Sequence, residues 1–206
     1  MLNYNAKVLY HSSIMIGDEI FVDPYKITGK YKAKYIFITH VHYDHYSPED
    51  IDKIVCDDTI FIAPMDVAQE IKKTYKNKML AVQPNQEFLL DGIRVETFPS
   101  YNVNKQFHKK EYGWVGYKIT YKNISYAILG DCDINEDNKK IKCDCLFVPI
   151  GGTFTMDGKE GAELTNIIKP KLVIPSHYNA IVGTKQNEEE FISYLDKDIN
   201  YEIYIK

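Results

Sequence analysis

Cysteine is scarce in this chain of 206 residues: four, at Cys56, Cys132, Cys143 and Cys145, with no CxxC pair among them. No disulfide framework or thiolate zinc motif is therefore read, and a reducing compartment would leave all four as thiols. Cys143 and Cys145 flank an aspartate just before Leu146–Ile150 and read as the entry to a buried strand, where cysteine serves as a small apolar residue. Long apolar runs are also missing, since none approaches the ~20 residues that a membrane-spanning helix needs. Met1–Lys7 carries no basic stretch followed by an apolar one, so no export signal is read and a cytosolic location is expected. Basic excess is absent. The formal charge of −4 offers no field for a polyanion, and nucleic acid is a poor partner on that ground. Neither linker nor fixed-period repeat interrupts the chain, and one domain over residues 1–206 is expected, with enough length for a substantial core.

What the chain does have is a concentration of histidine. Of six histidines, three fall within His40-Val41-His42-Tyr43-Asp44-His45. Imidazole and carboxylate suit zinc, iron and manganese, and a site with few protein ligands keeps a position open for a reactive water. Before this stretch, Tyr35–Thr39 is an apolar, β-branched and aromatic run that reads as a buried strand. After it, Ser47 reads as a helix N-cap, with Pro48 at the first helical position and Glu49 and Asp50 in the first turn. His40 and His42, two apart, place their rings on one side of an extended segment and suit one ion. Asp44 and His45 follow the start of a turn and suit a second.

The rest reads as strands with helices between them. Val8–Tyr10 and Ser13–Ile16 flank His11, which either points towards the metal pocket or, as expected first, sits satisfied in the sheet, and Gly17-Asp18 turns the chain into Glu19–Val22. Asp23 ends that strand, either orienting a ligand imidazole or capping the turn. Further strands are expected at Thr59–Ala63, Met79–Val82, Glu87–Phe98 (turning at Asp91-Gly92), Trp114–Tyr121, Ser125–Leu129 and Leu146–Ile150. Pro64 opens a helix with Val67, Ala68, Ile71 and Tyr75 at helical spacing, and the tail from Lys159 reads helix, strand, helix, strand. The pattern predicts an α/β sandwich whose strand ends meet along one edge.

Thr39-His40-x-His42-x-Asp44-His45 after a hydrophobic strand resembles the metallo-β-lactamase-fold hydrolases, whose later elements follow in order at Phe98–Asn102, Ile128–Asp131 and Ile174–His177. Asp23-Pro24-Tyr25 and Gly151–Asp157 look like the branch of bacterial ascorbate-6-phosphate lactonase-like proteins and their relatives. The resemblance implies a four-layer αββα sandwich. It implies metal ligation by His40, His42, Asp44, His45, Asp131 and His177, with Asp131 between two ions and with Asp44 and Asp131 catalytic. One or two divalent ions are expected, zinc first, with manganese or iron as alternatives. At Asn102 the sequence departs from the family, where a histidine commonly completes the set of His40 and His42. Either Asn102 or His108, six residues on, fills that place. Asn102, His108, Thr153 and Asp157 are also expected to face substrate. The function implied is hydrolysis of a small ester, lactone or phosphodiester by metal-activated hydroxide; the alternative is a non-catalytic metal-binding or regulatory protein that retains the fold. A small-molecule substrate is expected, with no nucleic acid or membrane partner and with a homo-oligomer left open.

Overall fold

Two β-sheets face one another in the computed structural model, which describes residues 4–205. The first holds β1 (Ala6–Tyr10), β2 (Ser13–Ile16), β3 (Ile20–Val22), β4 (Ala33–Phe37), β5 (Val55–Pro64) and β6 (Lys78–Val82), in sequential order. The second holds β7 (Glu87–Leu90), β8 (Ile93–Pro99), β9 (Val115–Tyr121), β10 (Ile124–Ile128), β11 (Cys145–Pro149), β12 (Leu172–Ser176) and β13 (Asn200–Tyr201), again in sequential order across the sheet. The helices are α1 (Pro48–Ile51), α2 (Met65–Thr74), α3 (Gly158–Ile168) and α4 (Lys185–Tyr194). None is long and apolar enough to cross a membrane among the described residues.

Side-chain alternation sorts the layers. Tyr35, Phe37, Ile60 and Ile62 point into the core between the sheets, where Val95, Tyr117 and Ile119 of the second sheet meet them. Their neighbours Ile36, Phe61 and Ala63 turn outward into a separate cluster with Ile51 of α1 and with Val67 and Ile71 of α2. On the other side β11 is buried along its whole length, because α3 covers its outer face and Gly161 rests on Val148 and Ile150. The result is the αββα sandwich.

Strand direction decides where chemistry collects. β1, β3 and β4 run one way, since β2 is antiparallel to both β1 and β3 while β3 and β4 are parallel. β8 likewise runs with β10, β11 and β12, because β9 is antiparallel to β8 and β10. The C-terminal ends of these strands therefore deliver His11, Asp23 and His40 from one sheet, and His108, Asp131 and His177 from the other.

Several boundaries differ from the sequence reading, each for a local reason. β4 leaves its ladder at Phe37 instead of Thr39, because the Thr39 amide donates to Asp23 Oδ1 at 2.8 Å. β5 starts at Val55, earlier than Thr59, and its pairing with β4 slips register between Ala33 and Tyr35. The helix after the histidine loop is a single turn, although Ser47 caps it as expected, accepting from Asp50 N at 3.4 Å. The Asp91-Gly92 turn forms as read: Leu90 pairs with Ile93, and both loop residues take positive φ, 48° and 85°.

Candidate metal centre

The loop leaving β4 turns on the carbonyl of His42, which accepts from His45 N at 3.0 Å and from Tyr46 N at 2.7 Å. Its four potential ligands divide between two groups. His40 and His42, with ring centroids 4.8 Å apart, are joined by His108, and the three bring one ligand atom each to within 4.8 Å of one another. Asp44 and His45 join His11 and His177 in a second group of the same compactness. Asp131 lies between them. Its Oδ2 is 3.0 Å from His177 Nε2, 3.3 Å from His108 Nε2 and 4.0 Å from His40 Nε2, while Oδ1 is 3.3 Å from His45 Nε2.

Hydrogen bonds behind the rings fix which nitrogen faces inward. Thr39 Oγ1 gives its single proton to Asp23 Oδ2 at 2.7 Å, so it can only accept from His40 Nδ1 at 3.0 Å. His45 Nδ1 likewise donates to Asp23 Oδ2 at 2.7 Å. Both imidazoles thus keep Nε2 for the cluster, with one buried carboxylate setting the tautomer of one directly and of the other through Thr39.

Electrostatics sort the rings into neutral and charged. Burial holds His40 well below the usual 6.5, lowers His42, and brings His108 and His11 down to about 4 each. His45 goes the other way: burial opposes its charge, but the Asp131 and Asp23 carboxylates outweigh that and hold it well above 6.5. Burial would raise Asp131, yet His177 and His45 keep it well below 3.8. Asp44 is down at about 2, where the hydrogen bond with His11 Nε2 at 3.2 Å and the nearby His45 overcome its own burial.

Nε2 of His40, His45 and His177 and Oδ1 of Asp131 are buried with no hydrogen-bond partner. Each such orphan costs about 1–3 kcal/mol, and four converging on one space make a socket that divalent cations would complete. Imidazole nitrogens with two carboxylates suit zinc, iron or manganese. The donor set fits a metal centre.

The expected site residues have different fates. His40, His42, Asp44, His45, Asp131 and His177 are all brought together. Asn102 stands next to the first group: its Nδ2 donates to Phe154 O at 2.8 Å and Phe107 O at 3.1 Å, its backbone N donates to His108 O at 2.7 Å, and its Oδ1 is buried without a hydrogen-bond partner. The amide braces the loop that carries His108, and His108 is the residue beside His40 and His42. Thr153 is exposed and lines no part of the cavity over the cluster, where Phe154 is found instead. Asp157 is the N-cap of α3, accepting from Glu160 N at 2.8 Å in a reciprocal capping box. Its Asp-x-x-Glu spacing is a helix-start signal legible in the sequence.

Two contributors lie outside the expected set. His11 reads first as a residue of the sheet, yet it sits at φ 51° beside the β1 irregularity and turns its ring onto Asp44 and His177, 4.0 Å from the latter's centroid. Gly151 passes so close to His177 that a Cβ there would lie 2.2 Å from the His177 carbonyl oxygen.

Residues 7–177 match the model of the beta-lactamase superfamily domain, a span that contains every member of both groups. The UPF0173 metal-dependent hydrolase of Anoxybacillus flavithermus is 28% identical over 220 residues, covering 92% of this chain and 93% of its own. Among solved structures, a Parabacteroides distasonis protein superposes with a TM-score of 0.78 at 24% identity, over 96% of this chain and 91% of that one. Igni18, a metallo hydrolase of the archaeon Ignicoccus hospitalis, reaches 0.76 at 17% identity, over 97% and 94%.

Proposed function

Because this chain belongs to the beta-lactamase superfamily and is a metal-dependent hydrolase, we propose that it cleaves a small ester, lactone or phosphodiester at a two-ion centre. The observation that carries this reading is the position of Asp131, whose carboxylate approaches His108 and His40 of one group and His45 and His177 of the other. His40, His42 and His108 would hold one ion; Asp44, His45 and His177 would hold the other, with His11 against Asp44. Zinc is the first choice, with manganese or iron as alternatives.

Ions held there would supply Lewis acidity, which makes hydroxide available at neutral pH and polarises an oxygen gaining charge. The chain's own groups do the rest. Asp44 and Asp131 are both ionised at neutral pH, so each can accept a hydrogen bond from an attacking water and align it, while neither is basic enough to take the proton by itself. Asp23 keeps His45 oriented through Nδ1, and Thr39 does the same for His40. Near-complete burial of His40, His45 and His177 keeps bulk water off the ligand atoms.

The test is elemental analysis together with turnover of chromogenic esters, lactones and phosphodiesters. Activity should vanish with a chelator and return with one added metal. Two ions bound per chain with no turnover across the whole panel would sink the reading.

A further inference from the structure

Resting on the hydrolase reading above, we propose that the substrate is an uncharged acyl compound, an ester or lactone, whose apolar substituent packs against Phe107, Phe154, Ile181 and Val182. A cavity of about 250 Å³ opens over the cluster, floored by His42, Asp44, His108 and Asp131. At about 30 Å³ per water it has room for a group the size of roughly eight water molecules. Its walls come from four segments, the loops after β4, β8, β11 and β12: Tyr43 brings a phenol ring from the first, and the others contribute only carbon, Phe107 from the second, Phe154 from the third, Ile181 and Val182 from the fourth. The two phenyl rings meet edge to face with centroids 4.9 Å apart. Phe107 remains 49% exposed and Ile181 36%, so the mouth presents apolar surface left open among the described residues.

Positive charge is missing from the same walls. No lysine or arginine is among the lining residues. On the Phe107 loop, Lys105 is paired with Asp133 and Lys110, just beyond it, with Asp137, while Lys109 is exposed and lies outside the cavity lining. The chain's single arginine, Arg94, is held by Glu87 on the β7–β8 hairpin. Helices α3 and α4, which follow the third and fourth loops, are closed by their own capping boxes at Asp157 and Thr184, so their first turns are already served by protein groups. A phosphate or carboxylate away from the reacting bond would be desolvated here with no partner, over a floor that already carries Asp44 and Asp131. That separates this chain from the phosphorylated lactone implied by the branch it resembles.

A matched p-nitrophenyl series tests the proposal: acetate, butyrate, hexanoate and phosphate, with metal-loaded full-length protein and rates taken above those of the metal-free form. Each buried methylene should raise kcat/KM roughly three- to fourfold until the cavity is full, and the phosphate should lie at least a hundredfold below butyrate. Phe107→Ala should reduce hexanoate turnover more than acetate turnover. Phosphate turned over as fast as the esters, or a chain-length slope unchanged by Phe107→Ala, overturns the proposal. Should no compound be turned over by fully loaded protein, the hydrolase reading falls, and the cavity is judged by NMR titration of metal-free protein. There, hexanamide binding that weakens in Phe107→Ala supports the apolar assignment; phenyl phosphate binding more tightly than hexanamide defeats it.

Discussion

His108→Ala is the substitution that separates the two candidates for the third place in the first group. In the folded chain His108 Nε2 lies 3.1 Å from His42 Nδ1, while Asn102 stands behind it and braces its loop. A four-ligand zinc site is worth roughly 10–16 kcal/mol, or about 2.5–4 kcal/mol per ligand. Losing the imidazole should therefore weaken the first ion roughly 100- to 1000-fold and leave the second in place. Trp114, the only tryptophan, reports on this directly. Its ring centroid is 4.8 Å from that of His40, 5.0 Å from His42 and 5.5 Å from His108, and its Nε1 is anchored on Asp66 at 2.8 Å. Metal titration followed by tryptophan emission, in competition with a chelator, gives the affinity, and elemental analysis should fall from two ions per chain to one. Asn102→Ala is the comparison. It removes the Nδ2 contacts with Phe154 O, Phe107 O and His108 Nδ1, which two N–H protons share; at about 1 kcal/mol per proton it should weaken the same ion by no more than roughly 30-fold. An Asn102→Ala effect larger than that of His108→Ala, or parent-like affinity in His108→Ala, would refute the arrangement.

How much of this was legible depended on distance along the chain. The four ligands from His40 to His45 share one loop, so local spacing carries their geometry, and Asp131 and His177 follow apolar strands whose ends a reader can locate. The Asp91-Gly92 turn was legible because its residue pair favours the positive φ values the turn needs. The choice between Asn102 and His108 was not, because it depends on a hydrogen bond from Asn102 to Phe154, 52 residues away. The pocket reading of His11 ranks second in the sequence for a related reason. A histidine between two strands gives no sign that its backbone takes φ 51° at an irregularity and swings the ring out of the sheet. Thr153 and Asp157 were placed by their nearness to a strand end; the capping-box spacing of Asp157 with Glu160 was available and is what the structure uses.

Four further outcomes are expected. Gly151→Ala should empty the second ion site selectively, since its Cβ would lie 2.2 Å from the His177 carbonyl and 3.1 Å from His177 Nδ1; elemental analysis showing two ions would contradict the steric argument. Asp23→Asn should weaken the second ion roughly 10- to 100-fold by loosening His45, and unchanged chelator competition would count against it. Iodoacetamide at pH 8 should label Cys56 and spare the others, because burial pushes Cys132 and Cys143 up to about 12 and raises Cys145 as well; rapid labelling of Cys132 in folded protein, read by mass spectrometry, would contradict this. Finally, metal-free protein should lose stability as pH falls from about 6.5 towards 4. His11 and His108 have folded pKa values near 4, and burial also lowers His40 and His42, so the unfolded chain takes up their protons first. Stability from these four rings is complete above the unfolded value and disappears through this window. His45, raised by Asp131 and Asp23, works in the opposite sense, contributing below 6.5 and losing that contribution as pH rises. Below 6.5 His45 is charged in both states, so the four depressed rings leave the unfolded state binding more protons. The melting temperature of chelator-treated protein should therefore fall on acidification, and His108→Ala should flatten part of the slope. A melting temperature that rises between pH 6.5 and 4 would show that the four rings are not neutral in the folded chain and that Asp23, whose carboxyl burial raises, sets the slope.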